Sequence, residues 1–270
     1  MEKKKSGVNR RAFLKSGLVA TGAIALAGTG AFVLDRATSG TRLRPDFLRP
    51  PGAIDEETFI YGCIKCGLCV QICPVQAIKL AKAGKGLAFG TPYIDPREQA
   101  CDFSCDALQC VETCPTAVLN FKPFKDAGLA AVEQAAAEAG DDFTSVNPFE
   151  VQKVAMKQIV RMGKAHVNRD SCLAYKGEGF KGVSRGTNFK GIYRAPDTQD
   201  ASASPLADKE FDREICDLCI TECPIGETAI VQELDRNGRL VPRVLDGCTG
   251  CGVCVMICPT HETSIIVEPF

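Results

Sequence analysis

Sixteen cysteines fall in four groups of four, and every group ends in the dipeptide Cys-Pro. The first reads Cys63-x-x-Cys66-x-x-Cys69-x-x-x-Cys73-Pro74 and the last Cys248-x-x-Cys251-x-x-Cys254-x-x-x-Cys258-Pro259. Three cysteines at this spacing can wrap a tight loop around three corners of one [4Fe–4S] cubane. Gly67 and Gly252 give the backbone the freedom that such a turn needs. The fourth cysteine falls on the next turn, where the proline, lacking an N–H, fixes the direction of the chain. The second group, Cys101-x-x-x-Cys105-x-x-x-x-Cys110-x-x-x-Cys114-Pro115, is looser. The third opens with Cys172 and resumes, after 43 intervening residues, at Cys216-x-x-Cys219-x-x-x-Cys223-Pro224.

In two-cluster ferredoxins the fourth cysteine ligates the other cluster. That geometry predicts four crossed sets, and hence four [4Fe–4S] clusters. The first set is Cys63, Cys66, Cys69 and Cys114, and the second is Cys101, Cys105, Cys110 and Cys73. The third is Cys172, Cys216, Cys219 and Cys258, and the fourth is Cys248, Cys251, Cys254 and Cys223. Disulfides and zinc compete for so many cysteines. Threes of cysteine spaced three apart and closed by Cys-Pro are not a disulfide framework. Zinc sites usually pair two Cys-x-x-Cys units or add histidine, and only His166 and His261 exist here.

The segment 1–39 reads as an export signal. Lys3, Lys4 and Lys5 lead into Asn9-Arg10-Arg11-Ala12-Phe13-Leu14-Lys15, followed by an 18-residue, weakly apolar run from Gly17 to Leu34. This pattern is that of a twin-arginine signal, which implies the twin-arginine translocase as a partner and export of the folded chain to the periplasm. The run is short and diluted for a stable membrane span. Ala37-Thr38-Ser39 is a poor cleavage site, so cleavage and retention as a weak anchor both stay open.

An extended, proline-bearing linker is expected over 40–58, then a two-cluster ferredoxin-like domain over 59–125. A helical linker follows over 126–164, its two helices separated by Gly140-Asp141-Asp142. A second two-cluster domain spans 165–270, with a polar insertion at 177–210. The fold class is thus α+β, two tandem bacterial two-cluster ferredoxin-like domains. The similar separations within the halves, 27 residues from Cys73 to Cys101 and 24 from Cys223 to Cys248, point to internal duplication. Asp235-Arg236-Asn237-Gly238 between Ala229–Leu234 and Leu240–Leu245 predicts a hairpin.

After residue 39 the chain carries 25 Lys and Arg against 31 Asp and Glu, and no basic stripe suggests nucleic acid. No catalytic constellation surrounds His166 or His261, so an electron carrier rather than an enzyme is expected. Ile64, Leu68, Val70, Ile72, Val253, Val255 and Ile257 are expected to shield the clusters from water. Asp102, Asp106, Asp217 and Asp246, beside cysteines, read as solvated loop residues.

The chain resembles the ferredoxin-type proteins of periplasmic nitrate reduction and methylamine use, NapG and MauM. The resemblance rests on the twin-arginine segment, Arg49-Pro50-Pro51-Gly52-Ala53-Ile54, CIKCGLCVQICP, Gly90-Thr91-Pro92-Tyr93, Asn168-Arg169-Asp170-Ser171-Cys172-Leu173, CDLCITECP and CTGCGVCVMICP. The chain departs from the family in having three residues between Cys101 and Cys105, where two are usual, and in the insertion after Cys172. The resemblance implies a periplasmic relay, taking electrons from a membrane quinol-oxidising ferredoxin-type partner towards c-type cytochromes and a periplasmic nitrate reductase. It also allows an accessory role in maturing methylamine dehydrogenase. An electron-transfer subunit of a molybdopterin enzyme is a third possibility.

Overall fold

Short, separate ladders organise the chain. In the computed structural model, residues 47–105, 107–140, 146–185 and 209–270 are described. The signal segment 1–39, residues 40–46 of the expected linker, Asp106, residues 141–145 with the Asp141-Asp142 expected to separate the two helices, and residues 186–208 of the insertion lie outside them. Among the described residues, no helix is long and apolar enough to cross a membrane.

In the second half, β3 (Gly163–Val167) and β8 (Ile265–Pro269) pair antiparallel and join the two ends of the segment. Between them lies the hairpin β6 (Ile230–Leu234) with β7 (Leu240–Val244). Its turn is built by Asp235, whose Oδ1 accepts from the N–H of Asn237 at 2.8 Å and of Arg239 at 2.9 Å, an Asx-type turn. The first half repeats this plan in reduced form. Its inner hairpin is β1 (Ile78–Leu80) with β2 (Pro92–Ile94). Its outer closure shrinks to a bridge between Ala53 and Leu119.

The helices Lys122–Ala139 and Pro148–Gln158 connect the halves and pack on each other. The second starts where Asn147 accepts from Phe149 N–H at 3.1 Å, with Pro148 at the first helical position, the usual chemistry of a helix start. Phe124 and Met156 face inward. Across the insertion, β4 (Phe180–Val183) pairs antiparallel with β5 (Glu210–Arg213), which runs past the expected end of the insertion at 210.

One cluster of buried side chains runs through both halves: Phe59, Phe103, Leu119 and Phe124 belong to it with Phe211, Leu218, Met256 and Ile257. A smaller cluster, Ala165, Ile230, Val255, Cys258 and Ile265, lies within the second half. The described residues fall in one compact unit.

Candidate metal centres

Each cysteine loop is shaped by a few local features. The helices Leu68–Ile72 and Val253–Ile257 start from Gly67 at φ 76° and Gly252 at φ 85°, a left-handed conformation that glycine adopts without steric cost. This bend separates the second cysteine of each loop from the third, which begins to ride on the helix. The Cys-Pro dipeptides at Cys73, Cys114 and Cys223 open tight turns. Their carbonyls accept from the N–H three residues on, at 3.1 Å from Gln76, 3.3 Å from Ala117 and 3.2 Å from Gly226, and proline suits the second position of such turns.

The looser second loop holds three non-glycine residues at positive φ, Phe103, Ala107 and Leu108. Phe103 and Leu108 are anchored by burial in the core, which offsets the strain of that conformation. In the third group, Cys172 donates its N–H to the Asn168 carbonyl at 3.1 Å, and Cys216 donates to the Glu178 carbonyl at 3.1 Å. The β4–β5 ladder thus works as a stem that returns the chain to Cys172 across the insertion.

All sixteen cysteines are free of disulfides. Three cavities are each lined by at least four of them. Cys73, Cys101, Cys105 and Cys110 line one. Cys223, Cys248, Cys251 and Cys254 line another, with Cys219 on its wall. Cys172, Cys216, Cys219 and Cys258 line a third. Each combines three cysteines of one loop with the fourth of its neighbour. At the remaining set, Cys114 lies close enough to Cys63 and Cys69 to act on both thiols electrostatically.

The donor chemistry fits a multinuclear cationic core. Among the described residues, no three or more His, Cys, Asp or Glu side chains converge closely enough to hold a single metal ion. Burial, with repulsion from Cys63 and Cys66, pushes the Cys69 thiol up to about 11. Burial pushes Cys216 up to about 11 and Cys251 up to about 12. It holds Cys101, Cys219 and Cys254 well above the ordinary thiol range. Metal binding needs thiolates, and a positive core supplies the compensation that these crowded thiols otherwise lack. Cys258 differs: burial raises its pKa, but bonding with Thr260 and Ser264 outweighs this and leaves it lowered. The Thr260 hydroxyl lies 3.2 Å from its sulfur and the Ser264 N–H donates to it at 3.4 Å.

The first and fourth loops share a spacing but not an environment. Val253, Val255 and Ile257 are buried, as expected for shielding residues. Ile64, at 64% exposure, Leu68 and Ile72 are exposed, and Val70 is half-buried. The expected shielding therefore fails at Ile64 and Leu68, whereas Ile72, although partly exposed, lines the cavity of the second set. The reason is what packs above each loop. Met256 receives the Ala100 N–H on its sulfur at 3.3 Å and Pro96 sits over Gly252, whereas Cys66 and its neighbours face outward.

Among the carboxylates beside cysteines, Asp102 accepts from Ser104 N–H at 3.0 Å and Asp246 pairs with Lys164 at 2.8 Å. Asp217 is less solvated than expected, lying half-buried 3.1 Å from the Arg213 Nε. His166 lies on the exposed side of β3, 3.4 Å from Glu268. His261 gives its carbonyl to Arg97 at 3.2 Å.

Two arginines escaped the sequence reading as functional residues. Arg49 donates to Glu56 at 2.8 Å, to the Thr91 hydroxyl at 2.9 Å and to the Pro92 carbonyl at 2.6 Å. It thereby ties the Arg49–Ile54 segment to Gly90–Tyr93. Arg97 reaches from the first half to four carbonyls of the second, and no local pattern announces it.

The 4Fe-4S dicluster domain model matches residues 62–118 and the 4Fe-4S binding domain model matches 245–261. No solved structure gives a significant match. The ferredoxin-type protein NapG of Escherichia coli is 30% identical over 251 residues, 90% of this chain and 78% of that protein. The methylamine utilization ferredoxin-type protein MauM of Methylorubrum extorquens is 30% identical over 248 residues, 90% of this chain and 81% of that protein. MauM of Paracoccus denitrificans is 27% identical over 249 residues, covering 91% and 80%. With its paired four-cysteine loops and this likeness along nearly its whole length, the chain belongs to the NapG and MauM family of ferredoxin-type iron–sulfur electron-transfer proteins.

Proposed function

We propose that the chain carries four [4Fe–4S] clusters, held by the crossed sets, and serves as a periplasmic electron relay without a catalytic site of its own. The observation that carries this reading is the joining of three cysteines of one group with the fourth of its neighbour around each of three cavities. When bound, each cluster supplies a one-electron redox couple. The chain's own residues place the thiolates, exclude water at the buried sets and give hydrogen bonds to sulfur. Ala77 N–H donates to the Cys73 sulfur at 3.4 Å, and Ser264 N–H to Cys258 at 3.4 Å. Hydrogen bonding and burial tune such a couple.

In this reading the folded chain is exported by the twin-arginine translocase. It takes electrons from a membrane quinol-oxidising ferredoxin-type protein and passes them towards a c-type cytochrome and periplasmic nitrate reductase. An accessory role to methylamine dehydrogenase is the second reading, favoured by an identity to MauM equal to that to NapG. Deletion of the gene in its native host separates the two. Loss of quinol-dependent periplasmic nitrate reduction, restored by the chain but not by an Arg10→Lys/Arg11→Lys form trapped in the cytoplasm, is the expected result. Intact nitrate reduction with loss of methylamine dehydrogenase activity contradicts the relay and supports the second role.

A further inference from the structure

The halves meet at the second and fourth cysteine loops. Cys101 donates its backbone N–H to the Cys251 carbonyl at 3.2 Å, and Ala100 donates to the Met256 sulfur at 3.3 Å. Four residues before Cys101, Arg97 extends its guanidinium to the far end of the fourth loop. Its Nη1 donates to the carbonyls of Val255 at 2.8 Å and Cys258 at 2.9 Å. Its Nη2 donates to Thr260 at 2.6 Å and His261 at 3.2 Å. These carbonyls lie in and just beyond the short helix Val253–Ile257, which carries Cys254 and is capped by Cys258. A planar, permanently charged fork is suited to gathering several carbonyls at once. The Arg97 carbonyl itself accepts from Arg185.

Within each half, adjacency is of a different kind. Cys219 lines the cavities of both the third and the fourth sets. In the first half, the helices Leu68–Ile72 and Gln109–Glu112 pack on each other and carry Cys69 and Cys110. The first set has the exposed Cys66 at its outer side.

Resting on the four-cluster reading, we infer that Arg97 locks the second and fourth cysteine sets together as the inner pair of a row. The first and third sets are its outer ends. The order along the molecule is first, second, fourth, third, which differs from the order in sequence. Arg97 is a positioning residue: it contacts the loop backbone and leaves the sulfurs to the clusters.

The test uses two anaerobically loaded full-length variants, each keeping two sets and about 8 iron atoms per chain. The inner-pair chain carries Cys63→Ala, Cys66→Ala, Cys172→Ala and Cys216→Ala. The outer-pair chain carries Cys101→Ala, Cys105→Ala, Cys248→Ala and Cys251→Ala. After dithionite reduction, the inner-pair chain is expected to show electron paramagnetic resonance signals split by spin–spin coupling, and the outer-pair chain simple uncoupled ones. The reverse pattern overturns the order. Adding Arg97→Ala to the inner-pair chain is expected to weaken the splitting with iron content unchanged, and Arg97→Lys to restore part of it. Splitting unaffected by Arg97→Ala overturns the role given to Arg97. Should the variants lose their iron, anomalous iron scattering from crystals of the unaltered chain decides the order. The closest iron maxima across the halves are expected beside Cys101 and Cys251. Four maxima with another nearest pair contradict the order alone, whereas two maxima contradict the four-cluster reading.

Discussion

Cys216 donates its backbone N–H to the Glu178 carbonyl at 3.1 Å, a bond at the foot of the β4–β5 stem that returns the chain towards Cys172, 44 residues upstream. Gly179 sits at the tightest point of this stem, where an added Cβ would collide with the carbonyl oxygens of Arg213 and Glu214. Gly179→Val is therefore expected to part Cys172 from Cys216 and remove about 4 iron atoms per chain. Iron analysis with the other sets intact checks this, and a full iron complement contradicts it.

Arg49 is 7% exposed and its guanidinium lies 4.7 Å from the Phe59 ring centroid, so its ion pair with Glu56 is largely shielded from water. Breaking a shielded pair leaves the partner carboxylate uncompensated. Arg49→Met is expected to cost roughly 2 kcal/mol after allowance for the partly exposed Glu56. Arg49→Lys is expected to recover only part, because an ammonium lacks the two-pronged geometry. The guanidinium-chloride midpoint of the loaded chain, measured anaerobically, reports both.

The unlike surroundings of the first and fourth loops predict unlike lability. A water-soluble ferrous chelator is expected to extract iron in phases, the first amounting to about 4 atoms per chain and coming from the set with exposed Cys66. Cys63→Ala/Cys66→Ala is expected to abolish that phase. Its persistence in this variant would show that another set is the accessible one.

Local features of this fold were legible in sequence and non-local ones were not. Cysteine spacing with Gly67 and Gly252 marks a loop because the turn is set by adjacent residues. Asn237-Gly238 marks the β6–β7 hairpin for the same reason. The helix Lys122–Ala139 begins four residues before the alanine-rich stretch at Asp126, since Pro123 fits a first turn as well as it fits a break. The burial of Ile257 and exposure of Ile72 could not be told from two motifs of identical spacing, because Pro96 and Ala100 of the other half cover the fourth loop. Arg97 left no trace, its partners lying 158 or more residues away and being backbone carbonyls. The shared core is non-local in the same way: Phe103 and Met256 belong to one cluster but to opposite halves.

The crossed sets predict that Cys73 serves the second loop, whose cavity it lines with Cys101, Cys105 and Cys110, although it lies only four residues beyond Cys69. Cys73→Ala is expected to alter the same reduced-state resonance component as Cys105→Ala. Alteration of the component lost in Cys63→Ala/Cys66→Ala would contradict the crossing.

Iron and acid-labile sulfide in the anaerobically purified, unaltered chain test the four-cluster claim most directly. The sixteen cysteines in four sets predict about 16 of each per chain. A reproducible value near 8 of each contradicts the account.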